Sequence, residues 1–148
     1  MYHIAIMKKS WGLLSKIISG EKKIESRWYM AKYAPWDRIE TGETVYFKDS
    51  GCPVIIKTKV SKVMQFSNLK PGLVKKIIDK YGGRDGIDIK NKKKFYNLFK
   101  NKKYCILIFL SEVKKIKPFN IDKRGFGLMS AWIYVNNINR VKIKDKVA

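Results

Sequence analysis

The period of the hydrophobic positions changes repeatedly along this chain, and each change predicts an element. Tyr2 to Met7 alternates weakly and opens as a strand. Ser10 is a good N-cap for a helix from Trp11 to about Ser19. In it Leu14, Ile17 and Ile18 form a one-sided stripe shared by Trp11, and Gly20 closes it at C′. From Lys23 the period becomes two, with Ile24, Ser26 and Trp28 on one face and Glu25, Arg27 and Tyr29 on the other. Residues 43–48 alternate around Val45 and Phe47, "DSG" at 49–51 makes a turn, and a long strand from about Val54 to Met64 completes a hairpin.

Pro71 starts a second helix, with Leu73, Ile77, Ile78 and Tyr81 at helical spacing and Gly82-Gly83 ending it. "KNKKKFYNLFKNKK" (90–103) predicts a short helix with Phe95, Leu98 and Phe99 as its buried stripe. "YCILIFL" (104–110) is an uninterrupted apolar run, hence a central strand, and "EVKKIKPF" reads as its partner. "SAWIYV" (130–135) and "RVKIK" (140–144) read as closing strands, and "RGFG" at 124–127 as a turn. Strands interrupted by three short helices predict a mixed, mostly antiparallel β-barrel with short capping helices, an α+β fold. A length of 148 residues fits one domain that buries a core without metal or disulfide support.

Composition adds the partner. Lys+Arg number 33 against 12 Asp+Glu, a formal net charge of +21. Like charges on a compact body repel, so this balance points to a polyanion. Codon bias or a hot habitat accounts for abundant lysine but not for scarce acids, because thermophile surfaces add Glu with Lys. Nucleic acid or another polyanion is therefore the partner that charge alone implies; a preference for RNA over DNA does not come from the charge and enters only with the motif described below. The 90–103 segment carries seven lysines and no acid. Its Lys92, Lys93, Lys94, Lys100, Lys102 and Lys103 form a candidate track for a phosphate backbone, extended by Arg124 from a second basic zone that also holds Lys114, Lys115, Lys117 and Lys123.

Cys52 and Cys105 lie far apart and read as reduced core thiols. A single histidine, His3, excludes triads and metal sites built on several histidines. No metal and no cofactor are expected. Lys8, Lys9 and Lys16 break the N-terminal apolar runs before they reach signal or membrane length, so a cytoplasmic, membrane-free protein is expected.

The candidate chemistry sits in "SGEKKIESRWYM" (19–30), where Gly20, Lys22, Glu25 and Arg27 follow a strand and a helix as G-x-K-x-x-E-x-R. This pattern resembles the signature of the ASCH domain family, in the PUA-like superfamily of small barrels. "IETGETVYFKDSG" (39–51) looks like that family's second block, and "YCILIF" followed by "VKKIKPF" like its late strand pair. The resemblance covers residues 1–118, leaving 119–148 as a C-terminal strand extension of a single 1–148 domain.

It implies a cleft with Lys22, Glu25 and Arg27 facing inward. Such a trio suits a nucleotide: Lys22 as a point charge for phosphate, Arg27 as a fork for phosphate or a base edge, Glu25 as an acceptor for an exocyclic amine or a clamp on Arg27. Trp11, Trp28, Tyr33 and Trp36 are the stacking candidates, with core packing the favoured reading for Trp11 on its helix stripe and an even one for Trp28, and with Trp36 in its Pro-containing loop the expected exposed platform. The opposing reading makes Glu25 and Arg27 an idle i, i+2 ion pair. Resemblance also raises catalysis: some relatives act as ribonucleases, for which Lys22 and Glu25 would be the acid–base pair. A small branch deacetylates acetylcytidine with a lysine and a threonine, but Glu25 stands at the nucleophile's place here, and a carboxylate does not replace an activated hydroxyl.

Overall fold

The computed structural model describes residues 1–144. Among the described residues six strands and three α-helices follow one another as β1 (Tyr2–Met7), α1 (Leu13–Ser19), β2 (Ile24–Tyr29), β3 (Thr44–Asp49), β4 (Val54–Phe66), α2 (Pro71–Tyr81), α3 (Lys92–Phe99), β5 (Tyr104–Phe119) and β6 (Trp132–Val135). The strands form one sheet in the order β2-β5-β4-β3-β1-β6. Only β1 and β3 run parallel, so the sheet is mixed but mostly antiparallel, as the period-two segments predict.

The sheet curls on itself. Trp132 of β6 and Tyr29 of β2 come from opposite edges, yet both pack on one core that also takes Ala5, Val45, Phe47, Ile56, Ile106 and Ile108 from the strands between. Bulges between β4 and β5 supply the bend, since an extra residue on one strand kinks it and steepens its twist. Outside the curl, α2 packs Val74, Ile77, Ile78 and Tyr81 against Ile24, Trp28, Cys105 and Leu107. A third cluster joins Ile4, Tyr46, Phe119, Ile133 and Val141.

Several expectations change in three dimensions. Helix α1 begins at Leu13, because Gly12 adopts φ +63°, a left-handed conformation that favours glycine; Ser10 falls inside a 3-10 turn (Lys9–Trp11) and caps nothing. "EVKKIKPF" does not pair with "YCILIFL" but continues it, giving a 16-residue β5. Hydrophobicity drops midway because β5 leaves the curled core, while its hydrogen bonds to β4 persist. Residues 140–144 form no strand; among the described residues only an isolated bridge joins Ile121 to Lys142. In α2 the buried position is Val74, with Leu73 exposed. Helix α3 has no fully buried residue and Leu98 is 49% exposed, because Tyr96 and Phe99, rather than Leu98, pack on the cluster shared by α2 and the sheet. Cys105 is buried and free, whereas Cys52 lies half-buried in the β3–β4 turn rather than in the core. Among the described residues no helix is long and apolar enough to cross a membrane.

Candidate nucleotide cavity

The segment after α1 leaves the helix at Gly20, whose positive φ turns the chain sharply into β2. The glycine-rich turn after α2 docks beside it: Arg84 C=O accepts from the N–H groups of Lys23 and Ile24, at 2.6 and 2.9 Å. Gly86 permits the close approach, because a Cβ there would stand 3.3 Å from the Lys22 side chain. This docking delivers Asp85 to the motif.

Lys22 is 1% exposed and Glu25 3%. The Lys22 ammonium donates to Ile24 C=O at 2.7 Å, Asp85 C=O at 2.7 Å and Asp85 Oδ1 at 2.6 Å, with Glu25 Oε1 at 3.3 Å. Glu25 Oε2 accepts from Arg27 Nη2 at 3.1 Å. Arg27 also donates to Ala131 C=O at 3.2 Å and Ile6 C=O at 3.4 Å, and its guanidinium lies 5.1 Å from the Trp132 ring. Arg27 thereby bridges β2 to β1 and to the chain entering β6, the two sides of the curl that no backbone ladder joins. Ser26 donates a short hydrogen bond to Asp85 Oδ2 and accepts from Trp28 Nε1 at 3.0 Å. Two carboxylates and two cations thus form a neutral buried network.

Burial raises the carboxyl pKa of Asp85 above its ordinary value, and the neighbouring Glu25 charge adds to this against the pull of Lys22. Burial works on Glu25 in the same direction, but Lys22 and Arg27 outweigh it and hold Glu25 low. For Lys22, burial opposes the charge while Asp85 and Glu25 restore it, keeping the ammonium protonated beyond the usual lysine range.

Above this network opens a cavity of about 670 Å³, within the range of small-molecule sites. Lys22, Glu25, Ser26, Arg27 and Asp85 form its polar floor. Trp11, Phe95 and Phe99 supply aromatic wall, and Lys8, Lys123, Leu128 and Met129 stand on its lining as well. Trp11 meets Phe95 edge-on at 5.3 Å.

No family model matches the sequence, and no curated protein matches it either. Solved structures do. The ASCH protein of Zymomonas mobilis superposes with a TM-score of 0.65 at 14% identity, over 94% of this chain and 90% of that one. A serine-to-alanine variant of it gives 0.64 at 14% identity, over 95% and 96%. The chain has the ASCH fold. A hypothetical protein, PH0355, aligns at 22% identity over 78% of this chain and 100% of its own, with a TM-score of 0.50.

Within this ASCH fold, the structure gathers Lys22, Glu25, Arg27 and Trp28 at one cavity. It leaves out Tyr33 and Trp36. Tyr33 is 63% exposed, edge-on to Tyr29 outside the cavity. Trp36 is no exposed platform: it packs against the main core and edge-on to Tyr104 at 5.0 Å, since its loop folds back over the sheet. Trp28 lines the cavity but belongs chiefly to the outer core, stacked on Phe99 at 4.8 Å and an interplanar angle of 4°. Trp11, assigned above to a helix stripe, instead stands on the cavity wall, because Gly12 separates it from α1. Lys22 commits three donors to protein oxygens, which leaves none for a phosphate.

Of the basic track, Lys93, Lys94 and Lys103 are exposed and Lys92, Lys100 and Lys102 half-buried, with Lys92 Nζ 3.9 Å from Asp79. Their helix walls the cavity through Phe95 and Phe99, so the lysines and the pocket share one region. Arg124 is a weaker member: its guanidinium is neutralised by Asp122, at 2.6 Å from Oδ2. Asp85 went unnoticed in the sequence, and Ser26 was read only as a face position of the strand, not as a site residue. The available signal was a lone acid inside "GGRDG", a turn in a chain where acids are scarce.

Proposed function

We propose that this protein is a nucleic-acid-binding module, with RNA as the favoured target, that accepts one nucleotide in the cavity while lysines around α3 engage the backbone. The observation that carries the reading is the cavity itself, which sits beneath a helix rich in lysine on a chain of charge +21. Its polar floor offers carboxylate and hydroxyl acceptors for an exocyclic amine together with the Arg27 fork, and its wall offers Trp11 and Phe95 for stacking. The ASCH fold is consistent with this use.

The roles differ from those read in the motif. Lys22 positions Glu25 and Asp85 rather than meeting phosphate, and Arg27, held on three sides, presents a fixed guanidinium. The ribonuclease reading with Lys22 and Glu25 as acid and base draws less support from this geometry, because both groups are tied to internal partners and held charged.

The test is binding of a single-stranded RNA oligonucleotide by fluorescence anisotropy across a salt series. About six neutralised phosphates give a log-log slope near −4. Trp11→Ala removes a stacking surface and weakens binding by about 1–3 kcal/mol, whereas Tyr33→Ala, outside the cavity, leaves it unchanged. Absent or salt-insensitive binding at about 50 mM salt overturns the reading.

A further inference from the structure

The residues 123–131 close one side of the cavity, and their tip is unusual in two respects. It is apolar and exposed: Leu128 is 70% accessible and Met129 95%, side by side on the cavity lining. Scattered exposed apolar residues are ordinary. Two adjacent ones on a braced turn at a pocket mouth are not explained by chance placement.

The turn is braced from within. Lys123 Nζ donates to both Leu128 C=O at 2.6 Å and Ser130 C=O at 2.7 Å. Gly127, at φ +88°, reverses the chain, and Ser130 N–H donates back to Gly127 C=O at 3.1 Å. Ser130 Oγ donates to Trp132 C=O at 2.7 Å. The next residue, Ala131, accepts from Arg27 Nη1 on the cavity floor and from Ile6 N–H at 3.0 Å. The apolar tip is therefore fixed relative to the guanidinium that would meet a base.

Resting on the function proposed above, we infer that Leu128 and Met129 form a wedge that inserts between bases next to the nucleotide held in the cavity. A base drawn into a pocket leaves its neighbours unstacked, and short apolar side chains fill such gaps. Charge complementarity names the occupant. Cations Lys8 and Lys123 line the same cavity as the wedge, which suits a phosphate-linked base step rather than an apolar protein partner. Methionine suits the task because its unbranched side chain adapts to different base faces.

The test uses the full chain and an oligoadenylate carrying a single 2-aminopurine, whose emission rises when its neighbours unstack. At saturating protein and low salt, the wild type raises emission several-fold. The Leu128→Ala/Met129→Ala protein loses most of that rise while its affinity falls by no more than about 150-fold, the upper share of one stacked base. Leu128→Met alone keeps the rise because it remains a wedge. Both positions are exposed, so an unchanged melting temperature accompanies the loss. An emission rise equal in wild type and double variant overturns the wedge while leaving the binding module standing; no binding of any oligonucleotide overturns both.

Discussion

Truncating Asp85 is the most informative perturbation of the buried network. In Asp85→Ala the Lys22 ammonium keeps two carbonyls and Glu25 but loses its 2.6 Å carboxylate contact, and the Ser26 hydroxyl loses its acceptor. A hydrogen bond to a charged group contributes about 1.5–3 kcal/mol, and a buried polar group left without a partner costs about 1–3 kcal/mol. Together these give roughly 3–5 kcal/mol, the size seen when one member of a buried ion pair is removed. For a chain of this length each kcal/mol lowers Tm by about 2–4 °C, so the expected drop is roughly 6–20 °C. The assay is thermal and urea unfolding at pH 7, with Asp79→Ala as control. Asp79 faces Lys75 and Lys92 at the surface, and its loss costs at most about 1 kcal/mol. A Lys22→Met/Asp85→Leu double variant recovers part of the loss, because removing both charges leaves neither stranded. Should Asp85→Ala be no more damaging than Asp79→Ala, the network does not hold the motif, and the reasoning from burial fails.

Two further outcomes follow from the geometry. Phe99→Ala removes the ring stacked on Trp28 and costs about 2–3 kcal/mol, whereas Leu98→Ala one position earlier costs less than about 0.5 kcal/mol; equal urea midpoints for the two variants would refute the observed face of α3. The acid limb of stability has two stages. Trp132 Nε1 donates to His3 Nδ1, so His3 is held neutral with its pKa, lowered first by burial, below 6.5; its contribution is present above 6.5 and lost as pH falls through the folded value. Glu25 and Glu43, both held below 4.5, lose theirs as pH falls from 4.5 through their folded values, while Asp85, raised, acts in the opposite sense. The urea midpoint should decline from pH 6.5 in wild type but stay level to about pH 4.5 in His3→Gln, and a wild-type midpoint unchanged between pH 7 and 5 would contradict this.

Much of this protein was legible along the chain. The period of two in β2, β3 and β4, the Pro71 start and Gly-Gly end of α2, and the excess of base over acid are local features, and local physics decides them: side-chain alternation, the fixed φ of proline, the arithmetic of charge. Glu25 and Arg27 were legible as neighbours because an extended strand places alternate residues on one face, whereas Lys22, which precedes β2, came only with the family resemblance. Other features depended on contacts between distant residues. Asp85 reaches Lys22 across 63 positions, and Arg27 reaches Ala131 across 104. No periodicity reports such meetings. Trp36 and Trp11 exchanged their expected roles for the same reason, since a loop's exposure depends on what it folds against and a helix's start on the conformation of one glycine. Along β5 polarity changed while pairing with β4 did not, because burial follows the curl of the whole sheet and hydrogen bonding follows only the neighbouring strand.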